Sequence, residues 1–401
     1  MLGISGLSRL RAQPEESGLF IGQLALYGVE KDCDSTVYSH DIGRIRDVDP
    51  DVGEPTTDFG GGAASGYWSI RSEQRNRSVL RTGMAALAEI GRFCPARLRP
   101  VIGRQQRGAR RMVTLSILQD PSIKSWLGGV EPAWTLLDRA SAEALHRPPS
   151  PTAGPIRLAS DLIFEELQQS SVARNALILL REAAEGPGLK MTATGNLARS
   201  VVAQMCEHFM WPGFDKAHAF EFNKIINEPD FLPLLFVRRV AQASKLLHRY
   251  RSHLRVTPAG RRMAEEPDRR VLQAVLFQVA LWHLDLGYFG LGPHRGWPQC
   301  DAGIVLWSLS IAANTWQPRE RLTRLCTIPN NGLLENIWDS ASHAMEARIL
   351  RPLHWFGLLE HREAEIAGSR FEKRQLYRKT ALFDRFLSFD VTLEGADRLR
   401  H

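Results

Sequence analysis

Cysteine is scarce and scattered in this chain of 401 residues: Cys33, Cys94, Cys206, Cys300 and Cys326 are all it has. The number is odd and no two stand in a two-residue spacing. That argues against a disulfide framework or a cysteine-rich zinc site and fits a reducing compartment. Long hydrophobic runs are missing too. The longest, near 304–313, is too short to cross a bilayer and contains serines. The opening MLGISGLSRLRAQPEESG lacks the basic start and apolar run of a secretory signal. The expectation is a cytoplasmic protein with no membrane contact.

Catalytic and cofactor patterns are also thin. There is no GxxxxGK[ST], no HExxH and no GxSxG. Gly290, Gly292 and Gly296 have the wrong spacing for a dinucleotide fingerprint and follow a helical pattern instead of a strand. Cys206, His208 and His218, or His294, Cys300 and Asp301, hold zinc-compatible donors, but neither set has a recurring ligand spacing. The reading is a non-enzymatic protein with no catalytic residue, no cofactor and no metal; a hydrolase with an unrecognised site is a further alternative that no motif supports.

What the chain does have is base. Its formal charge is +7 and its pI about 9.3, which permits contact with a polyanion. Between Arg71 and Arg111 stand eleven arginines, no lysine and only Glu73 and Glu89, so this stretch alone outweighs the total and the remainder is slightly acidic. Clustered arginines can neutralise phosphates; a solvated, Arg/Gly-biased extension reads the same way. Residues 1–146 show little sustained period, with helices suggested at 84–93 and 132–145, and are expected to be poorly ordered. A proline-rich linker follows at 147–156. Two helical regions are then expected, 157–266 and 267–401.

The most legible stretch is Asp230–Arg262, DFLPLLFVRRVAQASKLLHRYRSHLRVTPAGRR. Leu232, Leu235, Val240 and Ala243 recur at helical spacing. Leu246-Leu247-His248 leads to a turn at Arg251-Ser252, and His253–Thr257 alternates as a returning strand. Thr257 before Pro258 predicts a capped helix. Helix, hairpin and capped helix outline a winged helix. A second outline follows: a helix over 333–350, Leu358-Leu359-Glu360, a turn at Gly368-Ser369, a return strand at 375–379, and Thr380 as cap. The phrase Thr-x-x-Gly occurs at Thr192, Thr257 and Thr392; its threonine can cap and its glycine allows close approach. The fold class predicted is mainly α, with two winged-helix-like units carrying small β-hairpins. Two unrelated helix–hairpin units are the alternative.

Residues 189–262 (LKMTATGNLARSVV…DFLPLLFVRRVAQASKLL…LRVTPAGRR) resemble a winged-helix-like region of bacterial proteins related to the plasmid open-reading-frame-three-like family. The stretch 340–390, with YRKTALFDRFLSF, resembles their C-terminal part. Where that family shows a glycine before the paired leucines, this chain has Ser244-Lys245. The resemblance implies a fold but no activity and no site residues.

On the first outline, Arg238, Gln242 and Lys245 are expected to share the helix face opposite the buried stripe, with Arg239 beside it, as a recognition helix would require. Arg249, Arg251, Arg255, Arg261 and Arg262 fall on or next to the wing, where phosphate contacts belong. The expected function is nucleic-acid association, with DNA as partner. The alternative is a helical interaction or scaffold module, with a protein partner or a homodimer. The second hairpin carries Glu360, Glu363 and Glu365, which would repel phosphate.

Overall fold

A computed structural model describes residues 115–150, 154–214, 220, 225–289, 296–329, 339–366 and 373–394. The arginine-rich stretch, the helix expected at 84–93 and the turn at Gly368-Ser369 lie outside them. The architecture is predominantly helical with three small antiparallel sheets. In chain order the elements are α1 (Pro121–Leu127), α2 (Arg139–Leu145), β1 (Ile156–Leu158), α3 (Phe164–Gln169) and α4 (Ser171–Ala184). There follow β2 (Leu189–Lys190), α5 (Arg199–His208), α6 (Leu232–Ala243), β3 (Leu247–Tyr250), β4 (His253–Val256), α7 (Pro258–Met263) and α8 (Leu272–His283). The chain continues with α9 (Ala302–Ala312), β5 (Gln317–Pro318), α10 (Arg319–Cys326), α11 (Ser340–Met345) and α12 (Arg351–Trp355). It ends with β6 (Leu359–Glu365), β7 (Lys373–Lys379), α13 (Ala381–Phe386) and β8 (Leu387–Phe389).

Three boundaries differ from the sequence expectation. The helix expected at 132–145 is a 3-10 turn, Ala133–Leu136, followed by α2. Asp138 restarts the chain by accepting from the Ser141 amide at 2.6 Å, as an N-cap does. Trp134, Leu137 and Leu145 are buried in the main core, so the expected poor order does not extend through 146. The helix expected to stop at Leu350 runs on through Pro352 to Trp355. A π-helical turn, Glu346–Leu350, ends one residue short of the proline and accommodates a ring that an unbroken α-helix would exclude.

One apolar core runs through both helical regions, from Trp134 to Leu387. α8 lies at its centre, with Leu272 to Phe277 buried without interruption and Val279 to Leu281 after them, as its two-sided apolar pattern predicts. An aromatic seam joins the two hairpin-bearing parts. Trp211 and Phe236 lie 5.3 and 4.9 Å from Trp355, and Phe277 lies 5.2 Å from both Phe356 and Phe386. Offset and edge-to-face rings at such distances add to area burial alone.

The two parts repeat one arrangement. In the first, α4, β2, α5, α6 and the β3–β4 hairpin form a sheet in the order β2-β4-β3; in the second, α9, β5, α10, α11–α12 and the β6–β7 hairpin give β5-β7-β6. The helix-to-hairpin junctions share their hydrogen bonds. The Leu246 amide donates to Ala241 O at 2.9 Å, and the Leu358 amide to Leu353 O at 2.9 Å. The returning strands close alike: the amides of Thr257 and Thr380 donate to Leu246 O and Leu358 O, each at 3.0 Å. Each threonine then caps the next helix, Thr257 accepting from Gly260 N and Thr380 from Phe383 N. Gly260 has no room for a side chain, since a Cβ there would stand 2.2 Å from Leu246 O. Thr192 behaves differently and closes a turn with Asn196 instead of capping a helix.

Between helix and strand each part makes one left-handed residue: Gly357 at φ 74° and Lys245 at φ 57°. Only the second costs energy, because a Cβ crowds the backbone in that region. Lys245→Gly is therefore expected to stabilise the protein by about 1 kcal/mol. Gly357→Ala would destabilise it, both from the strain and from the Gln169 carbonyl oxygen 2.5 Å from the new Cβ. Thermal unfolding of the two variants checks the pair of opposite signs.

Candidate nucleic-acid interface

α6 begins after a 3-10 turn, Glu228–Asp230, where Asn227 and Asp230 form a capping box. Its circumference is almost wholly covered: Pro233 to Arg238, Val240 and Ala241 are buried, and Arg239 is its one exposed residue. Arg238, expected in solvent, is only 2% exposed. Its Nε donates to Oε1 of Glu228, itself 0% exposed, and its Nη1 donates to Gln242 Oε1 at 2.9 Å. The second oxygen of Glu228 accepts from the Leu197 amide at 2.6 Å. Burial lowers the Arg238 pKa, and the adjacent carboxylate works against that shift. The expected basic face of this helix is thus split. Arg238 and Gln242 belong to an internal polar knot, Arg239 stands 6.0 Å from the Tyr288 ring, and Lys245 is exposed at the helix end. The reason is that the face opposite Leu235 and Val240 meets other elements instead of water. The missing signal was Glu228, a carboxylate ten residues upstream in what reads as a polar connection.

The hairpin is where the arginines emerge. β3 and β4 pair from Leu247↔Val256 to Tyr250↔His253, joined by a two-residue turn whose first residue, Arg251, has φ 53°. Alternation puts Leu247, Leu254 and Val256 on the core and His248, Tyr250 and Arg255 on the outer face. Arg251 and Arg255 lie 5.3 and 4.8 Å from the Tyr250 ring centroid. Arg255 also donates to Pro187 O at 2.9 Å, and Arg249 to Arg251 O at 3.3 Å. Arg261 and Arg262 are exposed on α7, with Asp268 3.7 Å from Arg262. Among the described residues, Arg249, Arg251, Arg255 and Arg261 have no carboxylate within ion-pair distance. Tyr250 is the surface feature that sequence reasoning missed, as the ring against which two guanidinium groups rest.

The model of the Y4jL N-terminal domain matches residues 168–269, which hold every arginine just described. The uncharacterised protein y4jL of Sinorhizobium fredii is 32% identical over 191 residues, covering 42% of this chain and 86% of the relative. The chain belongs to the Y4jL family. No solved structure matches it.

The second hairpin of this Y4jL-family chain distributes its charge differently. Glu360 meets Arg378 at 2.6 Å and Glu363 meets Lys373 at 2.9 Å, so two of its three glutamates are neutralised across the strands. The Lys373 hydrogen bond holds the Glu363 pKa below the usual carboxylate range. At its base, His361 stacks on Tyr377 with centroids 4.8 Å apart, and His354 faces His361 at 5.6 Å while bonding Leu359 O at 2.8 Å. Tyr377 donates to Glu346, which also binds Arg319.

Each sequence-proposed zinc set is only partly described. His218 and His294 lie outside the described residues, Cys206 is buried, and Cys300 donates to Asp301 at 3.3 Å. Among the described residues no three side chains could jointly hold a metal, and no helix is long and apolar enough to cross a membrane.

Removing one partner of a buried pair strands the other. Arg238→Ala is expected to cost about 3–5 kcal/mol of folding stability, read as a lowered thermal midpoint, whereas Arg251→Ala should leave the midpoint unchanged. Burial lowers the pKa of His354, and that of His283 likewise. The unfolded chain therefore takes up these protons first, and stability falls as pH drops through about 6.5. A thermal midpoint measured from pH 8 to 5 should decline at the acid end. The decline should be shallower in His354→Gln.

Proposed function

We propose that this chain is a non-enzymatic, nucleic-acid-associated protein of two winged-helix-like units, which grips phosphate through the β3–β4 hairpin. The winged-helix reading, also implied by the resemblance to plasmid open-reading-frame-three-like proteins, draws support from the twice-used order of strands and from a hairpin directly after the third helix in each part. One observation carries the functional reading. Arg249, Arg251, Arg255 and Arg261 stand exposed on or beside one finger, with no carboxylate of the described residues to satisfy them. Such cations bind a polyanion by releasing its counterions.

Burial of α6 changes what kind of binding follows. Base reading needs side chains that reach into a groove, whereas Arg238 is committed to Glu228 and Gln242 to Arg238. The contact proposed is therefore with the backbone, independent of sequence. The same burial favours a second reading, in which the helical part is an interaction or scaffold module with a protein partner or a second copy.

A mobility-shift titration of the full chain against short duplexes of unrelated sequence separates the two. Duplexes of any sequence should bind, weakening steeply between about 50 and 200 mM salt. In Arg249→Ala/Arg251→Ala/Arg255→Ala the slope of log K against log salt should fall by up to about 2.7, roughly 0.9 for each phosphate no longer neutralised. No binding at low salt removes the nucleic-acid reading and leaves the scaffold.

A further inference from the structure

The second hairpin looks acidic in the sequence, but its pleat sorts the charges. Side chains of antiparallel partners share a face. The pairing Leu359↔Lys379, His361↔Tyr377, Glu363↔Gln375 and Glu365↔Lys373 puts two of the three glutamates on the face that carries buried Leu359, Tyr377 and Gln375. The pairing Glu360↔Arg378, Arg362↔Leu376 and Ala364↔Arg374 leaves the opposite face with three arginines and one glutamate. That glutamate is spent on Arg378, 2.6 Å away. β5 adds an aromatic ring: because Gln317 pairs with Tyr377, the preceding Trp316 falls on the arginine-bearing face. The Arg362 and Arg378 guanidinium groups lie 4.3 and 4.9 Å from its centroid. Arg362 and Arg374 are exposed, and among the described residues neither has a carboxylate within ion-pair distance.

We propose that this outer face of the β5-β7-β6 sheet, built on Trp316, Arg362, Arg374 and Arg378, is a second binding surface, and that its ligand is single-stranded nucleic acid. The proposal rests on the nucleic-acid reading for the class of ligand only, since it uses none of the same residues. One feature selects a single strand, and two more favour binding at this face. A sheet face carrying an indole and guanidinium planes offers stacking surfaces, which unpaired bases can use and the interior bases of a duplex cannot. Arg362 and Arg374 supply positive charge beside those surfaces for the backbone. Trp316 also holds two arginine side chains in place before any ligand arrives, which lowers the ordering cost of binding. The first hairpin makes a related arrangement with Arg251, Arg255 and Tyr250 at a non-equivalent position. The pattern is therefore not simply carried along by the repeat.

Fluorescence anisotropy of the full chain with a labelled oligothymidylate and with a labelled short duplex tests this. In Arg362→Ala/Arg374→Ala, oligothymidylate binding should weaken roughly tenfold. Its salt slope should fall by about 1.4, near 0.7 for each cation removed, while duplex binding stays as in the parent. Arg362→Lys/Arg374→Lys should keep the slope and still lose affinity, because an ammonium does not stack. Thermal midpoints equal to the parent's establish that both variants fold. Unchanged oligothymidylate affinity and slope in the alanine pair overturns the second surface. If the first-hairpin triple variant alone abolishes all binding, the second surface falls and the proposed function stands; if the parent binds neither probe, both fall.

Discussion

A carboxylate with no exposed surface, Glu228, holds the position of nearly everything that matters on the first half of this fold. One oxygen takes the guanidinium of Arg238 from the middle of α6, and the other takes the backbone amide of Leu197, just ahead of α5. Taking two charges out of water is costly, and hydrogen bonds to both offset part of that cost. Here the arginine also reaches Gln242 one turn on. The result is a helix fixed in rotation as well as in place. With α6 fixed, Leu246 and Leu247 enter the core and the hairpin beyond them is aimed at solvent. The pair thus fixes the direction of the basic finger while itself being closed off from solvent.

The second half reaches a similar geometry with other chemistry. Where α6 uses a buried ion pair, α11–α12 bends through a π turn that carries Glu346, and Glu346 meets Tyr377 and Arg319. What both halves keep is the junction: a left-handed residue, two leucines, and a threonine that closes the strand and opens the next helix. Gly357 takes the left-handed position without strain, whereas Lys245 takes it at a cost. The deviation from glycine that stands out in the sequence at 244–245 is therefore a single strained backbone angle, with the surrounding hydrogen bonds unchanged.

Local chemistry was legible and long-range partnership was not. The strands at 247–250 and 253–256, the caps at Thr257 and Thr380 and the close approach at Gly260 follow from residue types within a dozen positions of one another, and they stand where the pattern puts them. The inward turn of Arg238 could not be read that way. Its partner lies beyond the start of its own helix, and a run of Arg238-Arg239 looks the same whether one arginine or both face water. The second hairpin shows the converse. Its composition suggested repulsion of phosphate, yet the register, once known, puts two of the three glutamates on the face away from the arginines. The helix through Pro352 was obscured because proline ordinarily ends such a pattern and only the π turn before it allows continuation.

Arginine-selective chemical labelling of the full chain, read residue by residue by mass spectrometry, tests the central claim most directly. Arg249, Arg251 and Arg261 should react readily, Arg238 should stay unmodified until the protein unfolds, and a short duplex should shield the reactive three. Labelling of Arg238 at the rate of the hairpin arginines, or hairpin arginines that resist the reagent in the protein alone, would contradict the account.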